Sequence, residues 1–406
     1  MSARVETRLH TRDAVTEARE VLLSRSFDRT RAHPLLGARY AGVREWRDAP
    51  ALDKHDWVAA LRDFRPGRGE GGLYLVRSGG STREPLVFPV DIQENHCQRA
   101  ALAVELVRAG LFDADTVALN VFGYADLYRS AAILDDVLER CGATSLPMSA
   151  HACDVDLVAT AERFQPTHLL GTPSRLSLLA RHLGGCSRAL DIPNLLYAGE
   201  FLRPSQLSAM RDAFGTRHVW SLYGAAETGI WAWCDVDAHP GVFGVLPGVV
   251  VEILSPDADG YGDIAVTNAF RRRFPLFRYR LGDVGRRVWI DGVEHLELRA
   301  RAACSFQFGE LKHDLDDIAD FAAGAERHQL WLDTGEDGRE RARLRLLMPE
   351  GATVSEDELV ERSLGLRALL QCSVRVADVS VECAAPQALQ IDPATAKMPA
   401  LVDLRH

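Results

Sequence analysis

At 406 residues, with 47% hydrophobic and 26% charged side chains, the chain is long enough for two or three domains, or for one large core plus a smaller module, and reads as soluble and globular. Its formal net charge of −10 lacks the basic footprint that nucleic acid or an anionic membrane demands, so neither is expected as a partner. The amino terminus has no apolar signal core, no run reaches the length of a membrane span, and the eight scattered cysteines form no C-x-x-C pair. A reduced cytoplasm is therefore the expected location.

The first seventy residues are charged and helical in character, with Trp46 and Trp57 as expected anchors. Leu73-Tyr74-Leu75-Val76 reads as a strand that runs into a glycine-serine loop, and residues 91–110 carry helical periodicity. A strand at 116–122 opens an alternation: helix 155–164, strand 167–170, a helix after Pro173, strand 194–198, helix 204–214 and strand 218–222. Nearly continuous apolar strands alternating with helices predict an α/β fold with a buried, mostly parallel sheet. Near Pro247 the pattern changes to closely spaced strands at 249–254, 263–268, 277–280, 286–290 and 294–298. Beyond Arg301 a small α+β unit is expected, with a helix at 315–322, strands at 329–332, 342–347 and 374–381, and a helix from Ser355. The glycines and charges of 333–341 fit a hairpin tip.

Two nucleotide motifs are excluded first. Gly67-Arg68-Gly69-Glu70-Gly71-Gly72 has dinucleotide spacing but precedes a strand, and no G-K-[ST] follows a glycine loop. The loop from Ser78 to Pro85 is more informative. Gly79 and Gly80 free its backbone, and Ser78, Ser81 and Thr82 place hydroxyls beside exposed N–H groups, as phosphate binding needs. A plain strand-to-helix turn is the structural alternative. In Ser221-Leu222-Tyr223-Gly224-Ala225-Ala226-Glu227-Thr228 small residues let a planar group approach the backbone, and Glu227 is placed to hold Mg²⁺. Its alternative is an acidic residue serving a helix dipole. In Phe277-Arg278-Tyr279-Arg280-Leu281-Gly282-Asp283 an aspartate past a strand end can accept ribose hydroxyls, or simply shape a turn.

Taken in this order, the three segments resemble the phosphate-loop, Y-G-x-T-E and Y-R-x-G-D motifs of the adenylate-forming superfamily. That superfamily holds acyl- and aryl-CoA synthetases, peptide-synthetase adenylation domains and firefly luciferase. The phenylacetate–CoA ligase-like branch is the most similar, through Pro275 to Asp283, Gly171-Thr172-Pro173-Ser174 and Tyr197-Ala198-Gly199-Glu200. The carboxyl terminus is similar to the family's K-x5-D-x-R ending, with Lys397, Asp403 and Arg405; Lys312 and Lys397 are the only lysines beyond residue 300.

The resemblance implies a large adenylation domain over 1–301 and a small lid over 302–406. The large domain comprises a helical segment (1–70), an α/β part (71–246) and a β-rich subdomain (247–301). It implies ATP-dependent activation of a small carboxylic acid, aromatic or medium acyl, as an acyl-adenylate. The acyl group then passes to coenzyme A or a carrier-protein thiol, with an amine or nitrite as alternative acceptors. Ser78, Gly79, Gly80, Ser81 and Thr82 would cradle phosphates, and Gly199, Glu200, Tyr223 and Gly224 would line the adenine side. Asp283 and Arg301 would take the ribose or phosphate, Glu227 the magnesium, and Lys397 and Arg280 the developing charge. Phe122, Gly123, Tyr124 and Ala198 would line the acid pocket, and no arginine or lysine in these segments stands out for a second carboxylate. A homodimer is compatible with the resemblance.

The chain departs from the family at three places. Arg83 replaces the loop glycine, Ala226 replaces a threonine, and Ala300-Arg301-Ala302-Ala303-Cys304 lacks the acidic pair of the hinge. These departures put the large lid rotation in doubt and leave open a non-catalytic, nucleotide-binding homologue. Cys234 and His239 are spaced C-x4-H, but two ligands are too few for zinc, and a buried thiol is the plainer reading.

Overall fold

The computed structural model describes residues 2–62, 64–67, 71–77, 87–124, 127–199, 202, 204–299, 305–309, 311–325, 327–349, 352–370, 378–385, 388–390 and 401–405. The amino-terminal region forms α1 (Ser2–Ala32) and α2 (Lys54–Leu61). An Asp53–Asp56 capping box starts α2. Trp57 is buried against Leu52, Phe274 and Tyr279, so this region is fastened to the main body as the tryptophans predict.

Next come β1 (Leu73–Arg77) and β2 (Val87–Asp91), which pair antiparallel from Leu73↔Asp91 to Arg77↔Val87. The glycine-serine loop thus joins two strands of a ribbon, and the alternative of a strand-to-helix turn does not hold. Residues 78–86 themselves lie outside the described residues. Asp91 then caps α3 (Ile92–Arg108), accepting from the Gln93 and Glu94 amides.

The alternation follows: β3 (Val117–Asn120), α4 (Ser130–Arg140), β4 (Thr144–Pro147), α5 (Asp154–Phe164), β5 (His168–Gly171), α6 (Pro173–Gly185), β6 (Asn194–Ala198), α7 (Pro204–Phe214) and β7 (His218–Ala225). Strands β3 to β7 pair in parallel, in the order β7-β6-β5-β3-β4. Their residues Leu119, Leu169, Leu170, Leu195 and Leu196 are fully buried, as two covered sheet faces require. The reading of the sequence passes over α4 and β4.

After β7 the chain reverses into β8 (Gly229–Asp235), β9 (Val242–Val245), β10 (Val249–Leu254), β11 (Gly262–Asn268), β12 (Leu276–Ile290) and β13 (Val293–Arg299). Among the described residues these antiparallel strands continue the parallel sheet, giving one sheet ordered β10-β11-β12-β13-β9-β8-β7-β6-β5-β3-β4. The two strands expected at 277–280 and 286–290 are one, because β12 passes its break through a bulge and does not end.

The carboxyl-terminal part contains β14 (Ser305–Phe308), β15 (Leu311–Asp314), a 3-10 turn at Asp316–Ala322, β16 (Arg327–Thr334), β17 (Glu340–Leu347), α8 (Glu356–Leu369), β18 (Asp378–Cys383) and β19 (Leu401–Asp403). Ser355 caps α8 through the Glu358 amide. Phe308, Leu330, Leu344 and Leu366 form a core of its own. Residues 335–339 are the expected hairpin tip. No helix among the described residues is long and apolar enough to cross a membrane.

Candidate active site

Glu227 stands in the tight hairpin between β7 and β8 and not at the start of a helix, so the helix-dipole alternative fails. Thr228 closes the turn. Its amide donates to the Ala225 carbonyl at 3.1 Å, and its hydroxyl accepts from the Ala225 amide at 3.0 Å and from the Trp231 indole at 3.1 Å. A Cβ on Gly224 would lie 2.1 Å from the Gly229 carbonyl oxygen, so only glycine lets the two strands approach there. From below, the Gln98 and Asn268 side-chain amides donate to the Thr228 carbonyl at 3.0 and 2.9 Å. The turn is therefore fixed at its backbone, while the Glu227 side chain is half-buried and reaches outward.

One oxygen of that carboxylate accepts from the Tyr279 hydroxyl at 2.7 Å. Tyr279 is buried on β12, and the Leu52 amide and carbonyl bond the backbone on either side of it. Burial, and then the adjacent carboxylate, hold the phenol well above its usual value of 10.0. It remains a donor at every working pH.

Asp283 is not past a strand end, as the sequence implies, but within β12. The pairing of β11 with β12 shifts between Asp263↔Val284 and Ala265↔Arg280, so residues 281–283 bulge, with Gly282 at φ +80°. The bulge brings Asp283 to the Tyr223 hydroxyl, which donates to it at 2.8 Å. The Tyr223 ring is held edge-on by Trp231, with centroids 5.1 Å apart. Each motif's tyrosine thus holds the other motif's carboxylate.

The parallel strands β3, β5, β6 and β7 all open on the edge where Tyr223 lies, the edge at which such sheets bind ligands. Gly199 follows β6 there with φ +85°, and its carbonyl accepts from Gln307 of β14 at 3.4 Å. Ala198 is half-buried at the same edge, and Gly123 is buried with its carbonyl bonded to the Ala131 amide. Two expected site residues need correction. Phe122 is 2% exposed and packs in the main core, so Tyr124, 52% exposed, is the aromatic open to a ligand there. Arg280 alternates with buried Tyr279, is exposed, and lies 3.9 Å from Asp263, so it is not brought to either carboxylate. Ser78, Gly79, Gly80, Ser81, Thr82, Glu200, Arg301 and Lys397 lie outside the described residues.

Glu227 fits a magnesium ion of the kind bound through one carboxylate, water and substrate phosphate, since Tyr279 occupies only one of its oxygens. Cys234 is different. Its sulfur lies 3.2 Å from the His239 backbone carbonyl, and burial pushes the thiol up to about 11, away from a thiolate ligand. Sequence reading assigns no role to Tyr279; its inward position beside exposed Arg280 in an alternating strand is the signal that marks it.

A large mixed sheet with two tyrosine-held carboxylates at its parallel edge is the fold that solved adenylate-forming ligases share with this chain. Residues 137–266 match the family described as AMP-binding enzyme. A 120-residue segment is 31% identical to indoleacetate–lysine synthetase of Pseudomonas savastanoi and spans 28% of this chain and 28% of that relative. Among solved structures, 2-hydroxyisobutyryl-CoA ligase with 2-HIB-AMP and CoA in the thioesterification state superimposes with a TM-score of 0.71 at 17% identity. That match covers 96% of this chain and 90% of that one. The same enzyme in an open conformation gives 0.59 at 16% identity, covering 95% and 90%. The amide bond synthetase McbA from Marinactinospora thermotolerans gives 0.52 at 18% identity, covering 81% and 68%.

Proposed function

We propose that this chain is an ATP-dependent, AMP-forming ligase that activates a small carboxylic acid as its adenylate and passes the acyl group to a thiol. The observation that carries the reading is the paired holding of Glu227 by Tyr279 and Asp283 by Tyr223 at one sheet edge. An acid oxygen attacks the α-phosphorus of ATP, and the bond to the bridging oxygen of pyrophosphate breaks. Catalysis is then positioning and charge neutralisation. Asp283 orients the ribose, Gly199 and Tyr223 border the adenine, residues 78–82 cradle the phosphates, and Lys397 meets the developing charge. Glu227 would hold Mg²⁺, which supplies charge neutralisation on the phosphate oxygens.

Coenzyme A or a carrier-protein thiol is the first acceptor to consider. Greater similarity to the thioesterification state than to the open one supports it, as does the Gln307–Gly199 contact between the carboxyl-terminal part and the sheet edge. An amine acceptor is the second reading, supported by the similarity to a synthetase that joins indoleacetate to lysine and to an amide bond synthetase. The phenylacetate–CoA ligase-like motifs favour an aromatic or medium acyl acid and a place in specialised biosynthesis. Acid-dependent ATP–pyrophosphate exchange over a panel of carboxylic acids tests the reading. Exchange with at least one acid is expected, and a folded, nucleotide-binding protein that exchanges with none would instead be a non-catalytic homologue. Adding coenzyme A, amines or nitrite to the best acid then identifies the acceptor.

A further inference from the structure

We propose that Arg129 recognises a second carboxylate on the acid, so that the substrates of this site are dicarboxylic acids. This rests on the ligase reading above and names its substrate class. Arg129 immediately precedes α4, in the loop that leaves the ligand edge at β3, five residues beyond Tyr124. Its guanidinium carbon lies 4.0 Å from the centre of the Tyr74 ring and 5.9 Å from that of Tyr124. Among the described residues its side chain makes no ion pair and no hydrogen bond, and it does not cap α4.

The neighbouring arginine makes the contrast. Arg99 approaches the same Tyr74 ring at 6.0 Å, but it is paired with Asp136 at 3.0 Å. Among the described residues, one cation at this ring is neutralised and the other is not. A guanidinium stacked on an aromatic face still presents its fork of N–H donors in plane, which matches a carboxylate bidentately. At the start of a helix the local dipole disfavours a cation, so an incoming anion would also relieve that opposition.

Position ties this group to the reacting centre. On α3, Arg99 faces Tyr74 while the adjacent Gln98 holds the Thr228 carbonyl beneath Glu227. Tyr74 belongs to the ribbon whose tip is the expected phosphate loop. On the ligase reading the acid pocket opens beside Tyr124 at the end of β3, and the far carboxylate of an extended or flat diacid lying there would reach Arg129. Sequence reading passes Arg129 over because it lies just outside the motif segments, and its two ring partners come from separate parts of the chain.

The test is ATP–pyrophosphate exchange with matched pairs: hexanoate and adipate, phenylacetate and 4-carboxyphenylacetate, benzoate and terephthalate. The intact protein is expected to favour the diacid of at least one pair in kcat/KM by about 10²-fold, the usual size for a charge-assisted contact. In Arg129→Ala that diacid-to-monoacid ratio is expected to fall to near one, and Arg129→Lys to keep part of it. Arg129→Gln serves if the alanine variant does not fold. Equal or better use of every monoacid by the intact protein overturns the proposal, and so does an unchanged ratio in the folded variants, since a merely structural arginine would lower both rates together. Exchange with monoacids alone leaves the ligase reading standing and removes this one; exchange with no acid removes both.

Discussion

The Tyr279 hydroxyl donates to Glu227 at 2.7 Å across 52 residues of chain, and it does so from a buried ring that cannot follow the carboxylate if the turn moves. Tyr223 stands in the same relation to Asp283 at 2.8 Å. The Glu227 and Asp283 carboxylates are each aimed by a residue of the opposite motif, so displacing either strand disturbs both.

Tyr279→Phe removes only the hydroxyl and leaves the ring packing. The Mg²⁺ concentration for half-maximal exchange should rise about tenfold, the size of one hydrogen bond to a charged group. The melting temperature should change little, because half-buried Glu227 can take water in its place. Titration of Mn²⁺ binding to the ATP complex by electron paramagnetic resonance checks the same loss without turnover. An unchanged metal requirement would show that Tyr279 does not position Glu227.

Asp283→Ala should weaken ATP binding, read by calorimetry, more than Tyr223→Phe does. In Tyr223→Phe the carboxylate remains but loses its orientation. Equal effects from the two changes would place the ribose contact elsewhere.

Lys397→Ala should lower the exchange rate by about 10²–10³ while nucleotide binding stays measurable, as for loss of one donor to a developing charge. A normal exchange rate would remove Lys397 from the mechanism.

Gly224→Ala should destabilise the fold by about 1–3 kcal/mol or more, since the new methyl meets backbone and not a yielding side chain. Urea denaturation measures it. Retention of full stability would mean that the β7–β8 turn can open, contrary to its three-sided clamping.

His168 predicts an acid dependence of stability. The ring is buried beside Phe112, and burial lowers its pKa from 6.5 to about 4. Between those values the unfolded chain binds a proton that the folded one refuses, so stability falls as pH drops from 6.5 to 4, by roughly 3 kcal/mol from this group. The urea midpoint should decline over that window, and His168→Gln should flatten the decline. An identical slope in the variant would assign the effect to other groups.

Much of this molecule is written locally. The alternation of short apolar strands with helices, the caps at Asp91 and Ser355, the two strands on either side of residues 335–339 and the three motif segments follow from neighbouring residues. The reason is that periodicity, capping and turn chemistry act over a few positions of chain. What tertiary structure alone decided is which groups meet. Strand order and the 281–283 bulge bring Asp283 to Tyr223 across 60 residues. Alternation against the sheet interior turns Tyr279 inward and Arg280 out, and core packing buries Phe122 while Tyr124 stays exposed. Tyr74 and Arg129 become neighbours only when the ribbon folds over the parallel edge. Contacts between distant segments depend on sheet register and burial, and no window of sequence contains either.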